Sequence, residues 1–350
     1  MIQKEEIIQR RKEIAEIRHA DSVYRDIQAR EEEREDYEKR WFWELLQNAK
    51  DSVAEKEKVN VKIEISENEI SFSHTGNPFE LDDILSLIIQ GSSKISKEGK
   101  TGRFGTGFMT TYLLSKQVRI SGRLTENKGC FEFLLNRNAS NNEEFYLKQQ
   151  ESNNNFDNSI RESSYLGESN FQTKFSYTLD AKGKQTAEIG LQCLDELIPI
   201  TQLFNDQIES VIINNGNYEK TFNKTFIIDH PVNGNIINEW ELSTFVNTNI
   251  DKQFKAYNLH HSDFESCIIT QIDNGIEKIF RLTNNYPRLY FTFPLIGTEE
   301  IGIPFIINST KFNPRIERDG VYHIEKYPQS PLIKPRIKRV FAGLCGILLS

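Results

Sequence analysis

Apolar residues recur along this chain with two periods, and the order of the two sketches its elements. Residues 1–56 are dense in Glu, Lys, Arg, Ile and Ala and contain neither Gly nor Pro, which predicts helix in two or three pieces. The mixed-charge run Arg30–Asp36 reads as a solvated helix face. Val59–Ile65 then alternates strictly, and Ile70–Ser73 resumes the alternation after the polar break Ser66–Glu69, which predicts a hairpin. Leu81–Gln90 is a short amphipathic helix. A stretch rich in Gly, Ser and Lys, Gly91–Gly107, opens into an apolar helix from Phe108 to about Ser115. Strands are predicted at Gln117–Gly122, Gly129–Leu135 and Thr173–Leu179. Between the last two, Asn136–Ser169 is rich in Asn, Ser and Glu and reads as a long surface insertion. Ala187–Leu197 looks helical, and from about Ile208 the pattern is strand-rich through Ile306, with strands at Tyr290–Ile296 and Gly302–Asn308. That shift places a domain boundary near residue 200.

Composition narrows the class. The chain has 350 residues, 37% apolar and 11% aromatic, with 43 basic against 51 acidic side chains and a formal charge of −8. It is long enough for two domains with cores of their own. The acidic balance gives no support to a uniformly basic nucleic-acid surface. The longest apolar run, Val340–Leu349, is shorter than the roughly 18 residues of a membrane span, and no signal-peptide pattern opens the chain; no membrane partner and a cytoplasmic location are expected. The apolar close Gly346–Ser350 fits a chain that continues beyond residue 350. Cys130, Cys193, Cys267 and Cys345 form no C-x-x-C pair, so neither a disulfide framework nor a cysteine zinc site is suggested, and buried thiols are expected.

Three short segments carry the candidate chemistry. In Glu44-Leu45-Leu46-Gln47-Asn48-Ala49-Lys50-Asp51 the i, i+4, i+7 spacing puts Glu44, Asn48 and Asp51 on one helical face. An Asn carbonyl is a hard neutral ligand for magnesium, and a carboxylate one turn away can deprotonate a water that attacks a phosphate; a polar surface helix has the same spacing. His74-Thr75-Gly76-Asn77-Pro78-Phe79 follows a strand, where Gly permits close backbone approach or simply turns the chain. Gly102-Arg103-Phe104-Gly105-Thr106-Gly107-Phe108 precedes a helix, where backbone N–H groups and the helix dipole can hold an anion. It matches neither the Walker pattern nor the dinucleotide fingerprint.

The order and spacing of all three resemble the Bergerat-fold (GHKL) ATPases, the superfamily of Hsp90 chaperones, type II topoisomerases, MutL proteins and sensor histidine kinases. Glu-Leu-Leu-Gln-Asn-Ala, x-Gly-x-Pro-Phe, Gly-Ser-Ser-Lys and Gly-Arg-Phe-Gly-Thr-Gly-Phe look most like Hsp90-type, sacsin-like ATPase domains of large bacterial proteins. The resemblance implies an α+β chain. Its first part, 1–200, would be a two-layer α/β sandwich with an N-terminal helical segment and an ATP lid at about 90–104; its second, 201–350, an α+β transducer-like domain. It further implies ATP and magnesium as cofactors, Glu44 as general base, Asn48 as magnesium ligand and Asp51 as a supporting group near the nucleotide. Residues 102–108, with Gly76, would border the nucleotide and its phosphates, Ser93 and Lys94 would lie on the lid, and Thr173 would reach the base through water. Arg318, with Arg315 behind it, would be the basic residue sent to the γ-phosphate. At the position of His74 the family usually has an Asp that accepts from the adenine amino group; a neutral imidazole can accept one such bond through its unprotonated nitrogen.

The function so implied is magnesium-dependent ATP binding and slow hydrolysis that drives lid closure and conformational switching, with a nucleotide partner and a homodimer on ATP binding. The setting would be chaperone-like, with a protein client, or a prokaryotic anti-phage defence system. Two alternatives stay open at this point: a DNA-handling ATPase of MutL or topoisomerase type, and a nucleotide-binding scaffold without turnover. No dimerising helix pair with a phosphoacceptor His precedes the boxes, which disfavours a histidine kinase.

Overall fold

The computed structural model of the chain describes residues 4–90, 107–125, 129–161, 170–192, 194–232, 234–312 and 314. The chain is a mixed α/β protein with a large, mostly antiparallel set of strands. It divides into two compact units, Met1–Gln192 with Gln207–Lys220, and Cys193–Asp206 with Thr221–Ser350. The chain therefore leaves the first unit, returns to it over Gln207–Lys220 and leaves again; residue 200 lies in the short segment that belongs to the second. Among the described residues no helix is long and apolar enough to cross a membrane.

The first unit opens with helices α1 (Lys4–Glu32), α2 (Arg34–Tyr37) and α3 (Trp41–Asp51), followed by the hairpin of β1 (Val59–Ile65) and β2 (Glu69–His74). Helix α4 (Leu81–Ile89) comes next, then a 3₁₀ helix (Phe108–Leu113), β3 (Gln117–Arg123) and β4 (Cys130–Asn136). Helix α5 (Asn142–Ser159), β5 (Thr173–Thr178), α6 (Ala181–Leu191) and β6 (Ile208–Asn214) complete the unit. The strands run in the order β6-β1-β2-β5-β3-β4, with β1 and β6 parallel and the other pairs antiparallel. Alternation sorts their side chains by face. Ile63, Phe72, Phe175, Ile120 and Phe133 are buried and lie in register across β1, β2, β5, β3 and β4. Glu64 on the opposite face is paired with Lys62 and Lys174. The helices cover the apolar face: Phe156 of α5 packs edge-on to Phe131 and Phe133, and Phe108 of the 3₁₀ helix meets Phe175 at 5.6 Å.

Three expectations need correction. The Asn-rich stretch 136–169 contains α5 rather than a plain insertion. Asn141 caps it by accepting from the Glu144 N–H, and Glu144 reaches back to Ser140 N–H, a reciprocal cap. Phe145, Gln149, Ser152 and Phe156 are its buried residues, at the spacing of one helical face. The apolar helix after Gly107 forms as a 3₁₀ helix and ends at Leu113, short of Ser115. The helix expected at Ala187–Leu197 is two helices, α6 and α7 (Leu194–Leu203), separated at Gln192.

Helix α6 carries glycines where other elements come closest. A Cβ on Gly183 would lie 2.2 Å from the Leu114 carbonyl oxygen, and one on Gly190 would lie 2.0 Å from the Trp41 indole nitrogen. That nitrogen donates to the Thr186 carbonyl at 3.2 Å. The two glycines are seven residues apart, so one face of α6 backs both the 3₁₀ helix and α3.

The second unit packs α7 against β8 (Asn235–Val246), part of a sheet in the order β13-β12-β14-β10-β9-β8-β7. The remaining ranges are β7 (Glu219–Val232), β9 (Asn249–His260), β10 (Glu265–Asp273), β11 (Ile276–Ile279), β12 (Leu289–Phe291), β13 (Phe293–Pro294) and β14 (Ile306–Asn308). One cluster joins Ile200 and Leu203 of α7 to Leu242, Ala256, Ile269 and Tyr290; the other joins Ile237, Leu259, Ile268, Leu289 and Phe305. The strand expected at Tyr290–Ile296 doubles back at Thr292, whose φ of 61° is braced by Asn308 and Asn205. Only Ile306–Asn308 of the strand expected at Gly302–Asn308 forms. The buried Arg288 guanidinium holds the irregular segment between by donating to the carbonyls of Leu282, Thr283, Tyr286 and Ile303. Cys130 and Cys267 are buried free thiols.

Candidate functional site

The site is built on α3. Trp41, Phe42, Leu45, Leu46 and Ala49 are buried and form its apolar face. Glu44, Asn48 and Asp51 lie on a stripe about 60° wide at the margin of that face, at 100° per residue. The sequence thus fixes the roll of the helix through its large apolar residues and carries the polar stripe along. Ser52 ends the helix, its hydroxyl donating to the Ala49 carbonyl at 2.6 Å.

Two glycines bring the other segments against this helix. A Cβ on Gly107 would stand 2.0 Å from Glu44 Oε2 and 2.7 Å from its Cδ. A Cβ on Gly76 would stand 1.8 Å from Ser52 Oγ and 2.7 Å from His74 Nδ1. A side chain at either point would displace the group it meets. Glu44 and Ser52 are eight residues apart, so Gly107 and Gly76 touch α3 at positions separated by about 12 Å along its axis. Between them Asn48 is only 8% exposed, and its Nδ2 has no hydrogen-bond partner among the described residues. Asp51 is held by Lys50 at 3.2 Å.

His74 ends β2, and across the β2–β5 ladder it faces Thr173. Directly opposed residues project from the same face of a sheet, so imidazole and hydroxyl lie side by side. Both are buried, at 4% and 1% exposure. Gly76 N–H donates to His74 Nδ1 at 3.1 Å. Nδ1 therefore carries the ring's lone pair and the proton of the neutral imidazole is on Nε2. The expectation that His74 offers an acceptor to a ligand is corrected by this bond: the acceptor is spent within the chain, and what remains is a donor.

Burial lowers the His74 pKa from 6.5 to about 4, because desolvation penalises the charged ring. Above pH 6.5 the ring is neutral folded and unfolded alike. As the pH falls below 6.5 the unfolded chain takes up a proton that the folded chain refuses, so stability falls until about pH 4. The slope is about 1.4 kcal/mol per pH unit and the total about 3 kcal/mol. Chemical denaturation at pH 7.5 and pH 5.0 should show about 2 kcal/mol of this loss in the wild type beyond what His74→Asn shows, and equal losses in both would refute it.

The remaining expected residues divide in two. Phe108 is buried in the aromatic contact with Phe175 and Tyr112, a packing position. Ser93, Lys94, Gly102, Arg103, Phe104, Gly105, Thr106, Arg315 and Arg318, and with them the expected lid at about 90–104 from residue 91 on, lie outside the described residues. Several groups that sequence reasoning passed over hold the flanks. The carbonyls that end α4 are capped by Arg137 on Ile88, and by Gln149 at 3.1 Å and His19 at 2.9 Å on Ile89. Arg34 donates to the Leu113 carbonyl at 2.7 Å. These partners are up to 79 residues apart, so no local signal announces them. Among the described residues no group of three or more His, Cys, Asp or Glu side chains could hold a metal. No protein-family model matches the sequence, and no curated protein matches it.

Proposed function

We propose that the first unit binds a purine nucleoside triphosphate with magnesium, ATP in the reading its resemblance implies, and hydrolyses it slowly to drive conformational switching of a chaperone-like or defence-related kind. In this reading the first unit is a Bergerat-type two-layer sandwich and the second a transducer-like domain. The observation that carries the proposal is the approach of Gly107 to the Glu44 carboxylate, which sets the end of the glycine-rich segment beside a candidate base although sixty-three residues of chain separate them. The apposition of Gly76 to the far end of α3 supports it independently.

Glu44 would orient and deprotonate the attacking water, and backbone N–H groups near Gly107 would face the phosphates. Asn48 fits magnesium: its amide has an unmet hydrogen-bonding atom, and rotation about its last torsion presents either the nitrogen or the oxygen. A single protein oxygen suits an ion that keeps most of its waters and takes phosphate oxygens. When bound, the ion would neutralise charge on the phosphates; the chain's part is to place Asn48 and Glu44 one helical turn apart.

Titration of the full chain with ATP, with magnesium and with EDTA, tests this. Wild type should bind in magnesium, and Asn48→Ala should lose about tenfold or more of the magnesium-dependent affinity while its binding in EDTA stays unchanged. A wild type that binds no nucleoside triphosphate in magnesium ends the proposal.

A further inference from the structure

The hairpin of β10 and β11 leaves apolar side chains in water. Ile272, Ile276 and Ile279 are each more than half exposed, and apolar groups gathered on a surface mark contact with another molecule. Among the described strands β11 pairs with β10 alone, in unbroken register. The Phe280 N–H donates to the Ile269 carbonyl at 2.8 Å. By the alternation of an antiparallel ladder, the backbone groups of Glu277 and Ile279 therefore point away from β10. Proteins commonly blunt such an edge with a proline, a bulge or a free lysine. This strand has no proline, and its Lys278 is tied to Asp273 at 2.7 Å.

At the C-terminal end of the same strand lies a cavity of about 330 Å³, within the size range of ligand pockets. Phe280, Leu282, Ile303 and Pro304 give it apolar walls, and Arg281 and Arg288 add two guanidinium groups. Arg288 is buried and bonds only to carbonyls, which satisfy its donors and leave its charge uncancelled. Arg281 is exposed and makes no hydrogen bond or ion pair with any described residue. The carboxylate on β11, Glu277, is already held by Tyr257, Thr270 and Lys255. An open row of backbone groups thus runs into an apolar slot with an unmatched positive charge beside it.

We propose that the free edge of β11 takes up an extended peptide of a partner protein as an added antiparallel strand, with an apolar side chain in the cavity and a carboxylate on Arg281. Strand addition of this kind draws affinity from main-chain hydrogen bonds and specificity from side-chain pockets. Antiparallel pairing continues the ladder of β10 and β11 and is the more stable arrangement. It sets the acidic residue at the peptide's N-terminal end, opposite Arg281, with the apolar residue next to it. About six residues, roughly 20 Å of strand, reach from Arg281 back to Ile276. Every residue of this surface belongs to the second unit, so the proposal stands apart from nucleotide binding.

Fluorescence anisotropy with the full chain and the labelled peptide Ac-Glu-Leu-Thr-Val-Thr-Val tests it. The peptide should bind saturably, and a version with Lys in place of Glu should bind about five- to tenfold more weakly. In Arg281→Glu that order should invert; Arg281 is exposed, so the variant keeps its fold. N-methylation of the two Thr residues, whose amides face Glu277 and Ile279 in this register, should cost about tenfold or more, while N-methylation of the first Val, whose amide faces away, should cost less than about twofold. Failure of the acidic peptide to bind, equal binding of the Glu and Lys versions, or equal loss on methylation at either set of positions overturns the proposal. So does a dimer of the chain in sedimentation that the peptide cannot displace and Arg281→Glu dissolves, since a second copy then holds the edge.

Discussion

Glu44→Gln is expected to slow nucleotide hydrolysis by about 10²–10⁴-fold, the range a positioned general base contributes, while the Kd for magnesium-nucleotide moves by less than about threefold. The amide has the shape of the carboxylate and keeps a hydrogen-bonding oxygen, so a water can still be held but not deprotonated. Gly107→Ala should produce a similar loss by another route. Its methyl group would occupy the space of Glu44 Oε2, at 2.0 Å. The carboxylate is the far end of a flexible side chain, so the fold yields by swinging Glu44 aside and the base is displaced rather than removed. Single-turnover hydrolysis and equilibrium binding, measured together, separate these effects from weakened binding. A Glu44→Gln protein that keeps more than a third of the wild-type rate would exclude Glu44 as the base.

Trp41→Ala should be the most damaging single change to stability, at about 3–5 kcal/mol for the loss of a buried aromatic. Trp41 is 1% exposed, meets Phe42 edge-on at 6.0 Å and donates to Thr186. Removing it empties the space between α3 and α6 and takes away the indole's bond to the Thr186 carbonyl. For a domain of this size such a loss lowers the melting temperature by about 10–15 °C. Gly190→Ala attacks the same contact from the other side, because its new methyl group would meet the indole at 2.0 Å. The indole packs against α6 rather than against Gly107 or Gly76, so thermal unfolding should register either change before ligand binding does. A melting shift below about 3 °C for Trp41→Ala would contradict this packing.

Where element type depended on local pattern, the sequence was readable. Strict alternation marked β1, and the Gly-free, Pro-free start marked the helices through Asp51. α5 was hidden by its Asn-rich surface, although its buried positions Phe145, Gln149, Ser152 and Phe156 have helical spacing and Asn141 with Glu144 is a helix-start signal; composition was weighed above periodicity there. Glu44, Asn48 and Asp51 were legible as one face because helical geometry alone puts them there. Their meeting with Gly107 and Gly76 was not, since packing between distant segments decides it. The use of His74 Nδ1 was also out of reach: an imidazole's type says it can accept, and only the position of Gly76 N–H shows that it already does.

The return of the chain to the first unit over Gln207–Lys220 governs how the protein can be cut. Strand β6 pairs in parallel with β1 from Val59 to Glu64, and Val59 N–H donates to the Gln207 carbonyl at 2.8 Å. A fragment that stops at residue 200 contains all three candidate segments of the first unit yet lacks this partner, and β1 becomes a bare sheet edge whose unpaired amides invite another chain. Such a fragment should aggregate on expression. One extended to residue 220 retains the strand, so sequence motifs make poor guides to where this protein may be divided.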